Sequence, residues 1–186
     1  MERTLVLIKP DGVERALMGK VMEKFERTGL KVVALKMLSP TKELAGAHYA
    51  EDKAWMESVG NKSLKSYEAK GIKPKESALQ IGMRVRNMLL EYLVGHATVA
   101  MVIEGNEAVS IVAKLTGATA PFKADPSSIR GAYASDSYDF ADAQKRAVKN
   151  IIHASDSVTS AEREIKVWFK DGEILKYKRA DEAAMF

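Results

Sequence analysis

The stretch TLVLIKPDG at residues 4–12 decides the fold. Its first five residues form an unbroken apolar run rich in β-formers, which predicts a strand buried on both faces. The lysine, proline, aspartate and glycine that follow predict a turn directly after the strand. Lys9 would then lie at the end of the sheet, where ligands commonly bind, although a solvated lysine that starts a turn gives the same pattern.

The next segments alternate between helix and strand. Apolar residues recur at helical spacing over residues 18–25, and Gly29 stands where a helix C-cap belongs. Residues 30–38 alternate loosely and predict the second strand. Ser39-Pro40 predicts the start of another helix, because proline is well tolerated in a first turn.

The middle of the chain is more polar. Residues 52–92 are helical in pattern but unusually polar, with a break at residues 70–74. Residues 97–104 (ATVAMVIE) predict a second buried strand, and Asn106 is a plausible N-cap for the helix after it. Residues 150–153 form a short strand-like approach to a polar stop.

The C-terminal part completes the fold class. Ser155, Asp156 and Ser157 predict caps for a helix that ends near residue 169, and the charged tail at residues 171–186 is expected to be weakly ordered. Strands and helices alternate, yet the helices are few. The sequence therefore predicts an α+β domain around an antiparallel or mixed sheet.

Composition narrows the class of protein. The 186 residues fit one domain, 46% of them are hydrophobic, and no apolar run is long enough to cross a membrane. The absence of cysteine excludes disulfides and thiolate chemistry, and it is compatible with a cytoplasmic location. The net charge of +4 suits polyanionic partners such as nucleotides or nucleic acid, and it also fits a surface with a mild lysine excess.

Few residues can carry chemistry on their own. The chain has no Walker-type phosphate loop and no G-x-G-x-x-G, so a nucleotide enzyme of this sequence would hold phosphates with scattered basic side chains. Arg130 lies in a turn-rich loop, where its planar fork suits phosphate recognition or ties the loop to carbonyl groups.

His153 stands where an apolar strand breaks into small polar residues. A neutral imidazole is a competent nucleophile and can carry a phosphoryl group covalently. Glu164, on the following helix, could fix the tautomer of the ring. A buried histidine with a purely structural role is the alternative interpretation of the same pattern.

Several motifs in order resemble those of nucleoside diphosphate kinases. The resemblance spans residues 2–169 apart from two inserted stretches. The motifs that carry it are IKPDGV (residues 8–13), HY (48–49), AMVIEG (100–105), GAT (117–119), IRG (129–131) and NIIHASDS (150–157) followed by Ser160-Ala161-Glu162 and Glu164-Ile165.

The resemblance implies a fold and a reaction. The fold is a ferredoxin-like βαββαβ antiparallel sheet with helices packed on it, here with insertions near residues 60–90 and 132–149 in a single domain at residues 1–170. The reaction is a ping-pong transfer of the terminal phosphate of a nucleoside triphosphate to a nucleoside diphosphate, through a phosphohistidine and with Mg²⁺. The family also implies a homo-oligomer, a tetramer or a hexamer, with neither membrane nor nucleic acid as a partner.

The resemblance also assigns roles to particular residues. His153 becomes the nucleophile and Glu164 orients its ring, while no residue ligates the metal directly and Asp156 reaches it at most through water. Trp55 falls where the family has a base-stacking phenylalanine, although a tryptophan buried in the core would give the same sequence pattern. The residues expected to bind the nucleotide are Lys9, Tyr49, Trp55, Lys114, Thr119, Arg130 and Asn150.

Two departures from the family pattern leave a second hypothesis open. Ala113 stands where the family usually has a phosphate-binding arginine, and Lys114 next to it points about 100° away around a helix. Ala154 replaces the usual glycine after the nucleophile and would be strained if the position needed positive φ. With the basic net charge, Ala113 also suits a nucleotide- or nucleic-acid-binding protein with weak or no turnover.

Overall fold

The first strand is the centre of the molecule in a computed structural model, which describes residues 1–185. β1 (Glu2–Ile8) lies between β3 (Thr98–Gly105) and β4 (Ile152–Ala154), and β2 (Lys31–Leu38) pairs with the other side of β3. All neighbouring strands are antiparallel, in the order β2-β3-β1-β4. The predicted α+β class and ferredoxin-like sheet are confirmed.

Ten α-helices and two short 3-10 turns occupy the described residues. The α-helices are α1 (Pro10–Glu14), α2 (Met18–Glu26), α3 (Lys42–His48), α4 (Lys53–Ala69), α5 (Ala78–Leu93), α6 (Ala108–Thr116), α7 (Ile129–Tyr133), α8 (Tyr138–Ala143), α9 (Val158–Trp168) and α10 (Glu182–Met185). The 3-10 turns cover Pro121–Lys123 and Asp171–Glu173. None of the helices in this part of the chain combines the length and apolarity of a membrane span.

Helices cover both faces of the sheet, which explains the unbroken apolar run in β1. Val6 and Ile8 face a core completed by α2 and α6, whereas Leu5 and Leu7 face one completed by α3, α5 and α9. All four side chains are fully buried. Successive side chains of a strand point to opposite faces of the sheet, so a strand that is covered on both faces needs an apolar residue at every position.

Two predicted helix starts are wrong, and in each case a different side chain caps the helix. α3 begins at Lys42 rather than at Ser39-Pro40, because the Thr41 hydroxyl accepts a hydrogen bond from the Leu44 N–H at 3.2 Å. α6 begins after Glu107 rather than at an Asn106 cap. The side chain of Glu2, from the start of β1, accepts from the Val109 N–H at 2.5 Å and supplies the cap from across the fold.

The tail is held in place over the described residues, so the expectation of weak order is wrong for residues 171–185. The Leu175 N–H donates to the Val33 carbonyl at 2.8 Å, at the free edge of β2. Lys31 Nζ lies 2.7 Å from Glu182 Oε1, and the Arg179 guanidinium donates to the Leu30 carbonyl at 2.9 Å. Phe186 lies outside the described residues.

The segments expected to be inserted touch one another. The Tyr67 hydroxyl, on α4, donates to Asp142 at 3.0 Å, and Lys70 pairs with Asp139. Asp136 pairs with Arg146 within the second segment, at 2.6 Å. All three aspartates of the second segment therefore have partners within these two segments.

α4 and α5 cross at two glycines. A Cβ on Gly60 would lie 1.8 Å from the Ala78 carbonyl oxygen, and one on Gly82 would lie 2.0 Å from that of Met56. Neither contact is possible for a real side chain, so the helix backbones approach only because both positions lack one. The predicted helical segment at residues 52–92 is confirmed as this close-packed hairpin, interrupted at residues 70–77.

We expect Gly82→Ala to destabilise the protein by about 1–3 kcal/mol or more, because the added methyl forces the helices apart. Gly46→Ala is the matched control, since Gly46 is also helical but its Cβ would meet nothing within 4 Å. The control should gain up to about 1 kcal/mol from helix propensity. Denaturant titration measures both changes, and equal effects would contradict the crossing as described.

Candidate active site

The pairing of β1 with β4 brings together residues separated by 141 positions. Ile8 lies opposite Ile152, so the residue after β1 meets the residues before β4. Lys9 Nζ donates to Asn150 Oδ1 at 2.8 Å, and Asn150 Nδ2 donates to the Thr119 carbonyl at 2.9 Å. Three of the predicted binding residues thus form one chain of hydrogen bonds.

His153 is oriented from α9. It lies opposite Leu7 in the sheet, and its Nε2 is 2.8 Å from Glu164 Oε2. The Ser155 hydroxyl donates to the same oxygen at 2.7 Å. A carboxylate only accepts, so the ring carries its proton on Nε2 and leaves the lone pair of Nδ1 as the nucleophilic position.

Glu164 is held in its ionised form. Burial favours the neutral carboxyl, but the hydrogen bonds and charges around it, those of His153 first, lower its pKa below the ordinary value. Arg163 also lies 3.3 Å from its second oxygen, Oε1. An ionised carboxylate at this place can stabilise positive charge that develops on the imidazole.

A second histidine packs on the first. The rings of His48 and His153 meet edge to face with centroids 4.6 Å apart, and Tyr49 lies 4.5 Å from His48 on the other side. His48 is 3% exposed, and burial lowers its pKa well below the ordinary value, so it is neutral. In the sequence, His48 is distinguished only as part of the HY motif at residues 48–49.

Two buried cations lie near the nucleophile. Lys9 is 6% exposed and Arg130 is 8% exposed. Arg130 donates to the carbonyls of Gly117 and Ile152, each at 2.8 Å. Burial is the main cause that lowers the pKa of Lys9 to about 7, and the positive charge of Arg130 is the second. The negative charge of Asp11 raises this pKa, but by less. Burial likewise lowers the pKa of Arg130 to about 10. Both groups would gain from an anion beside them.

Three predicted residues lie outside this network. Trp55 is 36% exposed in the first turn of α4, so the alternative of a core tryptophan is wrong, and Trp168 is buried instead. Lys114 is exposed in the last turn of α6. Asp156 is exposed beside His153, and a hydrogen bond with Ser160 is the largest of the effects that lower its pKa.

Sequence reasoning missed two supporting contacts. Ser155 was predicted as a helix cap, but Ser157 caps α9 and Ser155 binds Glu164. Asp11 was read as a turn residue, but its carboxylate accepts the Ile151 N–H at 3.1 Å. No local pattern reveals a contact across 140 positions. Ala154 is not among the residues with positive φ, so the missing glycine causes no strain there.

One cluster in the described residues has the spacing of a metal site, and it contains the predicted nucleophile and its partner. Ligand atoms of His48, His153 and Glu164 lie within 4.8 Å of one another. Two imidazoles and one carboxylate are not the all-oxygen set that Mg²⁺ prefers. A magnesium ion would therefore have to arrive with its own oxygen ligands.

The fold and this geometry define an α+β protein with an oriented histidine beside two buried basic side chains, an arrangement that suits an enzyme that transfers an anionic group. The family model for nucleoside diphosphate kinase matches residues 2–61 and 80–174. The chain belongs to the nucleoside diphosphate kinase family, a family of phosphotransferases.

Known proteins agree over almost the full chain. It is 42% identical to the nucleoside diphosphate kinase of Pyrobaculum aerophilum, over 95% of this chain and 99% of that protein. A crystal structure of an NDP kinase from the same organism superposes with a TM-score of 0.91 at 41% identity, covering 94% of this chain and 99% of that one. A transition-state mimic of the Borrelia burgdorferi enzyme with bound vanadate and ADP has a TM-score of 0.81 at 37% identity, with 98% and 95% covered.

We predict that neutral His153 is a single Nε2–H tautomer and that Glu164→Ala produces a mixture, because the carboxylate is what selects the proton position. Long-range ¹H–¹⁵N spectra of the imidazole report the tautomer directly. Ser155→Ala is the control, since it keeps the contact between His153 and Glu164. A parent ring protonated on Nδ1 would contradict the assignment.

Proposed function

We propose that the chain transfers the terminal phosphate of a nucleoside triphosphate to a nucleoside diphosphate through a phosphohistidine at His153. The observation that carries the proposal is the Nε2 of His153, held by Glu164, next to two buried cations. A nucleophile of fixed tautomer and preorganised positive charge are the main requirements of phosphoryl transfer.

The proposed reaction has two matched halves. In the first, Nδ1 of His153 attacks the terminal phosphorus, a nitrogen–phosphorus bond forms, and the bond to the bridging oxygen breaks so that the diphosphate leaves. Glu164 stabilises the positively charged ring that results, because its carboxylate accepts a hydrogen bond from the Nε2–H of His153. In the second half an oxygen of another nucleoside diphosphate takes the phosphoryl group, and the neutral imidazole is restored.

We assign the nucleotide contacts by position. Lys9 and Arg130 hold the phosphates, and Asn150, Thr119 and Tyr49 hold the sugar and phosphates around them. Trp55, which is 36% exposed, is proposed to stack on the base, and stacking tolerates any base. Lys114 adds charge at the rim.

We propose that Mg²⁺ would arrive with the nucleotide and would supply positive charge against the phosphates. Asp156, which is exposed beside His153 and whose pKa is lowered, would hold the ion through water. The larger catalytic contribution of the protein is then the positioning of His153.

We propose further that residues 1–170 act as one domain, with the tail added to it, in a cytoplasmic homo-oligomer of four or six chains. Leu35 and Met37, on edge strand β2, are 51% and 57% exposed. An apolar edge strand is a surface that another chain can cover.

The proposal predicts a covalent intermediate. Incubation with Mg²⁺ and ATP labelled on the terminal phosphate should label the protein on a group that is stable in base and labile in acid, as expected for an N-phosphoryl bond. His153→Ala should abolish the label, while His96→Ala, which changes an exposed histidine, should retain it. Nucleotide binding without any label on the parent protein would favour the hypothesis of a binding protein without turnover.

Nucleotide binding should also take up a proton at Lys9. With a pKa of about 7, the free amine is largely neutral at pH 8, and a bound phosphate restores its charge. Uptake should therefore approach about one proton per site at pH 8, and affinity should fall as pH rises above 7. Calorimetry in buffers of different ionisation enthalpy measures the uptake. Lys9→Met should remove it, and unchanged uptake in that variant would contradict the assignment.

A further inference from the structure

The backbone at Ile151 adopts a conformation that β-branched residues rarely take. Its φ is 69°, and the Ile152 N–H donates to the Asn150 carbonyl at 2.7 Å. This bond closes a three-residue turn centred on Ile151, the γ-turn of positive φ, which is rare and strained. Strain of this kind persists only where neighbouring groups fix the backbone.

Both peptide groups of the turn residue are held from the end of β1. The Ile151 N–H donates to Asp11 Oδ2 at 3.1 Å, and its carbonyl accepts from the Lys9 N–H at 2.7 Å. Ile151 is fully buried and Asp11 is 5% exposed, so water cannot replace either bond. Because of the turn, the Ile151 N–H does not pair with a neighbouring strand, and the Asp11 carboxylate accepts its hydrogen bond instead.

The other oxygen of Asp11 is also occupied, because it accepts from the Tyr92 hydroxyl at the end of α5. The next residue leaves room for the turn. A Cβ on Gly12 would lie 3.0 Å from Ile151 Cγ2 and 3.1 Å from the Ile151 carbonyl oxygen. Asp11, Gly12 and Tyr92 therefore form a tight support under one strained residue.

The turn separates the two groups that the reaction needs together. Asn150, one residue before it, contacts Lys9, and His153, two residues after it, contacts Glu164. A return of Ile151 to negative φ would rotate the chain between them. One or both contacts would then be lost, although no catalytic side chain had changed.

We propose that Asp11 is a positioning residue for phosphoryl transfer, which acts by fixing the turn at Ile151 so that Asn150 and His153 face the same phosphate. The proposal rests on the proposed function for its kinetic consequence. Asp11 is buried and both of its carboxylate oxygens accept hydrogen bonds from protein groups, so its effect would pass through the backbone of Ile151.

One competing explanation is that Asp11 acts through its charge on Lys9. Asp11→Asn distinguishes the effect of the charge from that of the hydrogen bonds. Its amide oxygen can still accept from the Ile151 N–H while the amide nitrogen donates to the Tyr92 oxygen. The charge is lost and the hydrogen bonds remain. Asp11→Ala loses both.

The experiment compares these two variants with Val33→Ala, a buried change on β2 that destabilises the fold away from the site. Single-turnover formation of phosphohistidine should slow by about tenfold to a hundredfold in Asp11→Ala, since misplacement of this order has such effects. Asp11→Asn should stay near the parent rate, and so should Val33→Ala despite a lower melting temperature. A parent-like rate in Asp11→Ala, or an equal loss in Asp11→Asn, would overturn the proposal.

Amide spectra keep this test independent of the proposed function. The ¹H–¹⁵N signals of the Ile151 backbone and the Asn150 side chain should shift further in Asp11→Ala, where the hydrogen bond is lost, than in Asp11→Asn, where an amide oxygen replaces the carboxylate. If the parent forms no phosphohistidine, the proposed function fails, but these signals still report whether Asp11 fixes the turn. Unmoved signals in Asp11→Ala would overturn the positioning role by themselves.

Discussion

The antiparallel pairing of β1 with β4 is the constraint on which the site depends. Only three residue pairs form this ladder, yet they fix where the chain passes at both ends of the reaction centre. β1 cannot shift, because it is buried on both faces and paired on both edges. Lys9 at its end and His153 opposite Leu7 are therefore positioned by the core rather than by loops. Precise chemistry is easier to maintain on such rigid elements.

The electrostatics of the site follow from this rigidity. Lys9 and Arg130 are buried where their charges are poorly solvated, and the carboxylates nearby, Asp11 and Glu164, already accept hydrogen bonds from other groups. The unfavourable burial of two cations would be offset by a phosphate group. The resemblance places a third cation where Ala113 stands, and its absence would correspond to about 1.5–3 kcal/mol for a charge-assisted hydrogen bond. Under the proposed function, the binding of phosphate would therefore rely more heavily on Lys9 and Arg130.

Much of the fold could be predicted because its signals are local. The run at residues 4–8 indicated a strand buried on both faces, and the spacing over residues 18–25 indicated α2. The ordered motifs of the family indicated His153 and Glu164, which the structure places 2.8 Å apart. What the sequence could not reveal are contacts made across more than 100 positions. The Glu2 cap on α6 and the Asp11 contact with Ile151 are of this kind, since nothing near either residue distinguishes it from a solvated or turn acid.

The segments at residues 60–90 and 132–149, which the resemblance predicts to be insertions, contact each other beside the candidate site. Acidic residues in the second segment would repel a bound nucleotide if they faced it, because their negative charge would not be compensated by a paired cation. Instead Asp139 and Asp142 turn toward Lys70 and Tyr67 of the first segment. The two segments thus satisfy each other's polar groups, and the contact leaves the positive field around Lys9 and Arg130 intact. Because Tyr92 on α5 also contacts Asp11, the helical hairpin joins this outer contact to the turn at Ile151. The two segments are consequently connected, through Tyr92 and Asp11, to the backbone that precedes His153.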